Sequence, residues 1–195
     1  MFRRVEDPIN LLQKHFARAS ETESFDASRA ALATSDAGGR PSVRFVLVRQ
    51  IEESGLYFYT NYESDKARQL DENPHAAIVW HWASIGVQVR AEGEARRASA
   101  ERSDAYFATR HRESQIGAWA SHQSHPIESR EALDALVAQT RERFAGGDVP
   151  RPSHWGGYGL VPRRIEIWHE GEHRLHDRFR YDREGDGWVV TRLAP

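Results

Sequence analysis

The sequence predicts an α+β fold, mainly antiparallel β, folded as one barrel-like domain. Three observations carry this. Polar and apolar residues alternate over several short stretches, many of these stretches are joined by hairpin-length turns, and the helical patterns enter as insertions rather than between every pair of strands. The 195 residues are enough to bury a proper core, with no internal repeat and no flexible linker.

The elements follow in order. Asp7-Pro8 forms an N-cap and N1 pair, and Ile9, Leu12 and Phe16 recur at helical spacing behind it. A strand from Ala30 through Leu32 and Thr34, the turn Asp36-Ala37-Gly38-Gly39 and the stretch Val43–Arg49 predict a hairpin. Gly55–Thr60 is a third strand. Ser64–Leu70 is a short helix with a capping serine, stopped before Asn73-Pro74. Ala76–Trp82 and Val87–Glu94 are two further strands. Helices are predicted over Ala100–Thr109, near Ser114–Ser121 and over Ser129–Phe144, then a loop over Pro150–Gly157, and three strands close the chain.

Composition excludes several functions. The net charge of -2 provides no global basic field for nucleic acid or an anionic membrane. The absence of cysteine excludes disulfides, thiolate metal ligands and thiol nucleophiles. No apolar run approaches membrane-spanning length, and Met1-Phe2-Arg3-Arg4 leads into a polar segment rather than a signal-peptide core, so a cytoplasmic protein is expected. With Lys14 and Lys66 as the only lysines against 25 arginines, arginine is the background cation and Lys66 stands out.

One short motif invites a metal reading. His169-Glu170-Gly171-Glu172-His173 fits H-E-x-x-H, which needs a helix to bring both imidazoles to one face. The alternation in Arg164–Trp168, the interruption at Gly171 and renewed alternation in Arg174–Tyr181 predict strand, turn, strand instead. No third ligand follows at a recognisable spacing, and no metal is expected.

Other polar residues fit a plain barrel poorly. Arg44 and Arg49 flank the apolar Phe45–Val48 and, five residues apart, point to opposite faces of a regular strand. They are either two solvated edge charges or cations that meet different phosphates. Lys66 lies at a helix start, where free N–H groups also favour an anion. Ser114–Ser124 is dense in small residues, amides and hydroxyls: as structure, a helix with a tight packing contact at Gly117; as chemistry, a donor set for a phosphate or a flat polar ring. Tyr106 and Arg110 share a helical face, as a phosphate clamp opposite Ser114 or as a surface cation–π pair.

Taken in order, Tyr59-Thr60-Asn61, Ser114–Trp119, Gln123-Ser124, Val149-Pro150-Arg151-Pro152, Trp155-Gly156-Gly157, Arg174-Leu175-His176-Asp177-Arg178 and Arg192–Pro195 resemble the pyridoxine (pyridoxamine) 5'-phosphate oxidase family from about Asp7 to Pro195. The resemblance implies a homodimeric split β-barrel with FMN in each cleft between the subunits. It makes residues 1–195 a single FMN-binding domain, with an N-terminal helix and lead-in over 1–25 and a helical insertion over 99–145. Position by position, Arg44 and Lys66 match holders of the FMN phosphate, and Phe45, Val46, Leu47, Val48, Tyr59 and Thr60 match flavin contacts. Gln88, Gln123, Ser124, Trp168 and Arg178 complete that set. Arg49, Tyr106, Arg110 and Ser114 match positions that bind the phosphate of a phosphorylated pyridine substrate, and Arg174, Leu175 and His176 match positions over its ring, with Arg174 and His176 the catalytic pair.

The implied reaction is hydride transfer from C4' of pyridoxine or pyridoxamine 5'-phosphate to flavin N5, with O2 as acceptor and H2O2 as product; the cofactor carries the chemistry and the protein sets geometry. Three departures from the family pattern stand out. Arg49 replaces a lysine that many members use for the substrate phosphate. Asp65 stands where a basic residue often precedes the FMN-phosphate lysine. An arginine-rich N-terminal segment that covers the substrate in some members is expected to be missing. Two other functions share this pattern: a related flavin oxidase of phenazine biosynthesis, and a non-catalytic flavin- or pyridoxal-phosphate-binding protein.

Overall fold

Closure of a sheet on itself organises the molecule. In the computed structural model, which describes residues 6–195, eight strands form one antiparallel sheet: β1 (Arg29–Ser35), β2 (Pro41–Glu52), β3 (Gly55–Asn61), β4 (His75–Trp82), β5 (Val87–Arg97), β6 (Trp155–His169), β7 (Asp177–Glu184) and β8 (Gly187–Leu193). The order is β3-β2-β1-β4-β5-β6-β7-β8, and β3 also pairs with β6. The first six strands therefore close into a barrel, from which β7 and β8 extend as a flap. Closure leaves no free edge among the six. The lead-in Met1-Phe2-Arg3-Arg4 lies outside the described residues.

The barrel is filled by inward-facing residues of every strand, among them Leu32, Val48, Phe58, Trp80, Val89 and Ile165, all with no exposed surface. Helix α1 (Pro8–Thr22) starts as predicted, with the Asp7 carboxylate accepting from the Ile9 N–H at 2.7 Å and Pro8 in the first turn. It buries Ile9, Leu12 and Ala19 against the barrel. Helix α2 (Asp65–Glu72) plugs one end with Ala67 and Leu70. Its N-cap Ser64 is not a side-chain cap, because the hydroxyl donates back to the Asn61 carbonyl at 2.7 Å. Helices α3 (Ala100–Ala108), α4 (Arg112–Ala120) and α5 (Arg130–Arg143) cover a second, smaller cluster of Phe107, Ile116, Val149 and Trp155.

Two predicted boundaries shift. Trp155-Gly156-Gly157 is not loop but the start of β6, paired with Asn61, Thr60 and Tyr59. Its glycines hid it from strand propensity, yet here they admit neighbouring rings: a Cβ on Gly156 would lie 2.1 Å from the Tyr62 hydroxyl, and one on Gly157 2.9 Å from the Tyr59 ring. Arg174–His176, predicted in a strand, lie in and just after a 3-10 turn over Glu172–Arg174, and β7 begins only at Asp177. His169 ends β6 and His173 sits in that turn at φ 54°, so the H-E-x-x-H residues share no helix.

β6 leaves the barrel through an irregularity. Its pairing with β5 shifts register between Glu92 and Gly93, opposite Pro162, and a Cβ on Gly93 would fall 2.0 Å from the Val161 carbonyl oxygen. Only a glycine lets the backbones come this close. Gly93→Ala should therefore push the strands apart at the barrel seam and destabilise the fold by about 1–3 kcal/mol, the usual range for overpacking. Thermal unfolding checks this: a Tm within a degree of the parent protein means that the seam can relax.

Candidate functional site

Two cations, Lys66 buried and Arg44 half-buried, sit together where α2 meets the barrel end. The Lys66 ammonium donates to Thr60 Oγ1 at 3.1 Å, Ser64 Oγ at 3.2 Å and Gln123 Oε1 at 3.2 Å. Arg44, inward-facing on β2, donates to Thr34 Oγ1 at 2.5 Å and Gln69 Oε1 at 3.1 Å. Among the described residues no carboxylate accepts from either. Burial, then the Arg44 charge, pull the Lys66 pKa down to about 8, against a smaller opposing effect of Asp65. Asp65 itself pairs with Arg68 at the surface. Ser124, at φ 71°, accepts from the Asp65 N–H at 3.2 Å and so ties the Gln123-Ser124 loop to the helix start.

Beside this pair opens a pocket of about 410 Å³. Thr60 and Gln123, the partners of Lys66, form one side of it, and Tyr106, Arg110, Ser114 and Trp155 are on its lining too. Tyr59 stacks on Tyr106 with ring centres 3.8 Å apart. Burial, partly offset by Arg102, pushes the Tyr59 phenol up to about 12, so it keeps its proton and donates to Gln50 Oε1 at 2.9 Å. Arg110 lies in the turn between α3 and α4 with its guanidinium 4.6 Å over the Trp155 ring. One of its buried nitrogens has no partner, and burial holds its pKa below the ordinary value. An uncompensated cation on a polar pocket wall is a place for an anion.

The remaining predicted residues lie elsewhere in the chain. Gln88, Trp168 and Arg178 occupy one row across β5, β6 and β7. Trp168 packs on His176 with ring centres 4.5 Å apart, and Arg178 donates to Glu166 Oε1 at 2.8 Å and to the Ala194 carbonyl at 3.0 Å. In the adjoining turn Gly171 N–H donates to His176 Nδ1 at 3.2 Å, Arg174 takes the left-handed conformation at φ 65°, and Leu175 is exposed. This group sits at the C-terminal end of β6 and the pocket at its N-terminal end, thirteen residues away, on the order of 40 Å of extended chain. One chain does not bring the two groups together.

Strand β2 divides by its pleat. Arg44, Val46 and Val48 face inward, whereas Val43, Phe45 and Leu47 face outward, Phe45 with 72% of its surface exposed. Val48 is wholly in the core and its N–H donates to the Ser28 carbonyl, while Leu47 reaches the pocket. Arg44 and Arg49 do serve different neighbours, but Arg49 is the extra residue of a β-bulge and pairs with Asp26 at 3.0 Å instead of lining the pocket. Burial pushes the Asp26 carboxyl up, but bonds from Ser28 and Arg49 outweigh this and hold it low.

Sequence reasoning missed Trp155, Asn61, Ala118 and Ser121 as pocket residues, and Gln69 and Thr34 as partners of Arg44. The Trp-Gly-Gly run was the available signal, since a large ring followed by two glycines marks a close approach of other rings. Gly117 makes no tight packing contact: nothing lies within 4 Å of a Cβ built there, and it faces the pocket.

Comparison with known proteins gives a consistent picture. Residues 20–144 match the family model described as pyridoxamine 5'-phosphate oxidase, and residues 155–195 match the pyridoxine 5'-phosphate oxidase C-terminal dimerisation region. The chain is 49% identical to the pyridoxine/pyridoxamine 5'-phosphate oxidase of Rubrobacter xylanophilus, over 97% of this chain and 87% of that one. It is also 49% identical to the enzyme of that name from Anaeromyxobacter dehalogenans, over 97% and 96%. Among solved structures, PhzG from Burkholderia lata in complex with tetrahydrophenazine-1-carboxylic acid is similar with a TM-score of 0.91 and 33% identity, over 98% of this chain and 94% of that one. A pyridoxamine 5'-phosphate oxidase-related, FMN-binding protein from Nostoc punctiforme shares the fold at a TM-score of 0.79 and 19% identity, over 98% and 100%.

Two measurements follow from the geometry. In the unfolded chain Lys66 keeps its proton to about pH 10.4, so between pH 8 and 10 the unfolded state binds more protons and this group alone makes stability rise with pH. A phosphate seated at the ammonium reverses the shift, so binding takes up a proton and weakens by about tenfold per pH unit above pH 8. Calorimetric titration of FMN at several pH values should show that slope, and Lys66→Arg should abolish it. The open space at Gly117 implies that Gly117→Ala gains about 0.5–1 kcal/mol of helix stability, while its methyl group narrows the pocket. Tm should rise by a few degrees as the Kd for a pocket ligand increases; a lower Tm would restore the packing role.

Proposed function

The chain belongs to the pyridoxine/pyridoxamine 5'-phosphate oxidase family of oxidoreductases, and from that premise we propose that it oxidises pyridoxine 5'-phosphate and pyridoxamine 5'-phosphate to pyridoxal 5'-phosphate as an FMN-dependent homodimer. One observation carries this reading: two cation sites, half-buried Arg44 with buried Lys66 and half-buried Arg110, lack carboxylate partners among the described residues yet adjoin the same pocket side formed by Thr60 and Gln123. A phosphorylated cofactor beside a phosphorylated substrate satisfies both.

In this proposal Arg44 and Lys66 hold the FMN phosphate at the start of α2, where helix N–H groups add to their charge. When bound, FMN supplies the hydride acceptor for the C4' carbon and passes the electrons to O2, with H2O2 as product. Arg110, Tyr106 and Ser114 clasp the substrate phosphate, and the stacked rings of Tyr59 and Tyr106 screen one side from water. Arg174 and His176 orient the pyridine ring, with Leu175 against it and Trp168, Gln88 and Arg178 completing the flavin site. The separation along β6 supports assigning these to the partner subunit. The match to a dimerisation region over 155–195 and the outward apolar residues Val43, Phe45 and Leu47 support the dimer.

The likeness to PhzG favours a second reading, oxidation of a reduced phenazine precursor on the same barrel. That ligand carries a carboxylate in place of a phosphate, and Arg110 suits either anion; the 49% identity to pyridoxine/pyridoxamine 5'-phosphate oxidases, against 33% to PhzG, favours the phosphorylated pyridine.

The test is to add pyridoxine or pyridoxamine 5'-phosphate to the FMN-loaded protein in air and follow pyridoxal 5'-phosphate and peroxide together. Both should appear in equal amounts. Bound flavin with neither product would turn attention to tetrahydrophenazine acids or to a binding role. Arg174→Ala should lower kcat by about 10²-fold or more, the scale of a lost positioning contact, with FMN content near that of the parent. Unchanged turnover in that variant would remove Arg174 from the substrate side.

A further inference from the structure

We propose that Trp155 is the positioning residue that makes this site select a phosphorylated over an unphosphorylated substrate, by serving as the rigid platform over which the Arg110 guanidinium is held. The inference rests on the reading of the pocket as a substrate-phosphate site and adds to it a residue with no previous role there.

Arg110 differs from the carboxylate-paired arginines of the helical layer, and by its half-buried position from Arg143, which lies over the Trp119 and Phe144 rings but is exposed. Arg102 is paired with Glu52 at 2.8 Å and Arg151 with Asp104 at 2.6 Å. The Arg110 guanidinium instead lies 4.6 Å over the Trp155 ring and 5.5 Å from the Phe107 ring, and among the described residues no carboxylate pairs with it. Aromatic faces are therefore the main contacts that orient it. Of these, indole binds a cation most strongly. A guanidinium stacked on a ring keeps its N–H edge in a plane parallel to the ring, and a fork aimed in this way can meet two oxygens of a phosphate at once.

The platform is itself held firmly. Trp155 is 6% exposed and is the first residue of β6. Its N–H donates to the Pro152 carbonyl at 3.1 Å, and its carbonyl accepts from Arg151 at 2.6 Å, which ties it through Asp104 to α3. The Phe107 ring meets it edge-on at 5.1 Å, and the Tyr106 and Tyr59 rings lie nearly parallel to it, at 6° and 12°. Neither the ring nor the strand below it has room to rotate. Arg110 thus inherits its direction from Trp155, while Trp155 gives the anion no hydrogen bond of its own.

The experiment compares FMN-loaded parent protein with Trp155→Phe, Trp155→Leu and Arg110→Lys. Three quantities are read: kcat and KM for pyridoxamine 5'-phosphate, the same for pyridoxamine, and the Kd of inorganic phosphate by calorimetry. Trp155→Leu should lower the preference for the phosphorylated substrate about tenfold, mainly through KM, and raise the phosphate Kd by a similar factor. Trp155→Phe, which retains a face, should stay within about threefold of the parent. Arg110→Lys, which keeps charge but not the flat fork, should resemble Trp155→Leu, and it keeps the question open to test if the leucine variant does not fold. Equal losses on both substrates would mean a purely structural role for Trp155 and overturn the proposal, as would an unchanged phosphate Kd in a folded leucine variant. If the parent oxidises neither substrate, the oxidase reading fails by itself, and the phosphate Kd series still decides whether Trp155 positions Arg110.

Discussion

Strand β6 is the constraint on which the rest of the structure depends. Its first residues pair with β3 and close the barrel; its middle crosses β5 at Gly93; its last residues pair with β7 and carry the flap. Without the β3 pairing the sheet would have two open edges, and the apolar interior from Leu32 to Ile165 would lose its last wall. The same strand carries both groups of candidate residues, Trp155 at one end and Trp168 at the other. A rigid strand of this length keeps them apart, so assembly with a second copy is the simple way for both to meet one ligand. The fold thus turns a topological requirement, one long shared strand, into a reason for dimerisation.

Charge compensation separates site from scaffold. Arginine is abundant, and most arginines here are satisfied by a carboxylate on a neighbouring strand or helix turn, as Arg164 is by Asp182 and Arg130 by Asp134. Such pairs at the surface contribute little to stability and mainly keep the surface soluble. Lys66, buried, and Arg110, half-buried, stand apart because among the described residues they meet hydroxyls, amides and rings rather than a carboxylate. That arrangement costs stability in the empty protein, and the lowered Lys66 pKa records the cost. Left-handed backbone at Ser124, beside Lys66, and at His173 and Arg174, in the turn after β6, adds further strain at or next to candidate residues. Stability given up at a few positions, while the barrel around them is closed and fully packed, is the signature of sites arranged for a ligand.

Most of the fold was legible in the sequence, because alternation and turn residues act locally. The α1 cap, the hairpin at Asp36–Gly39 and the block of three helices all follow from short-range patterns. What was not legible depends on distant chain segments. Trp155-Gly156-Gly157 resembles loop until the Tyr59 and Tyr62 rings that need the glycines are placed beside it. Ser64 has the composition of a cap, but its hydroxyl is taken by the Asn61 carbonyl and the Lys66 ammonium. For the site, residue types pointed to anion binding at Arg44, Lys66 and Arg110, whereas only the three-dimensional arrangement distinguishes Arg110, unpaired, from Arg49, paired with Asp26. Pattern alone weighs those two arginines equally.

The family departures are best understood through that distinction. An acidic residue next to Lys66 would weaken phosphate binding if it faced the ammonium, but Asp65 is turned toward Arg68, and its residual effect on Lys66 is smaller than that of burial or of Arg44. Arg49 supplies a cation where the family resemblance implies a lysine, yet its partner Asp26 already accepts from the Ser28 N–H and hydroxyl and so is held in place. To bind a substrate phosphate, Arg49 would have to leave that carboxylate or share itself with it. Arg110 gives up no such partner, because among the described residues no carboxylate pairs with it. In the proposed function, phosphate recognition therefore leans on Arg110 and the ring beneath it more than on position 49.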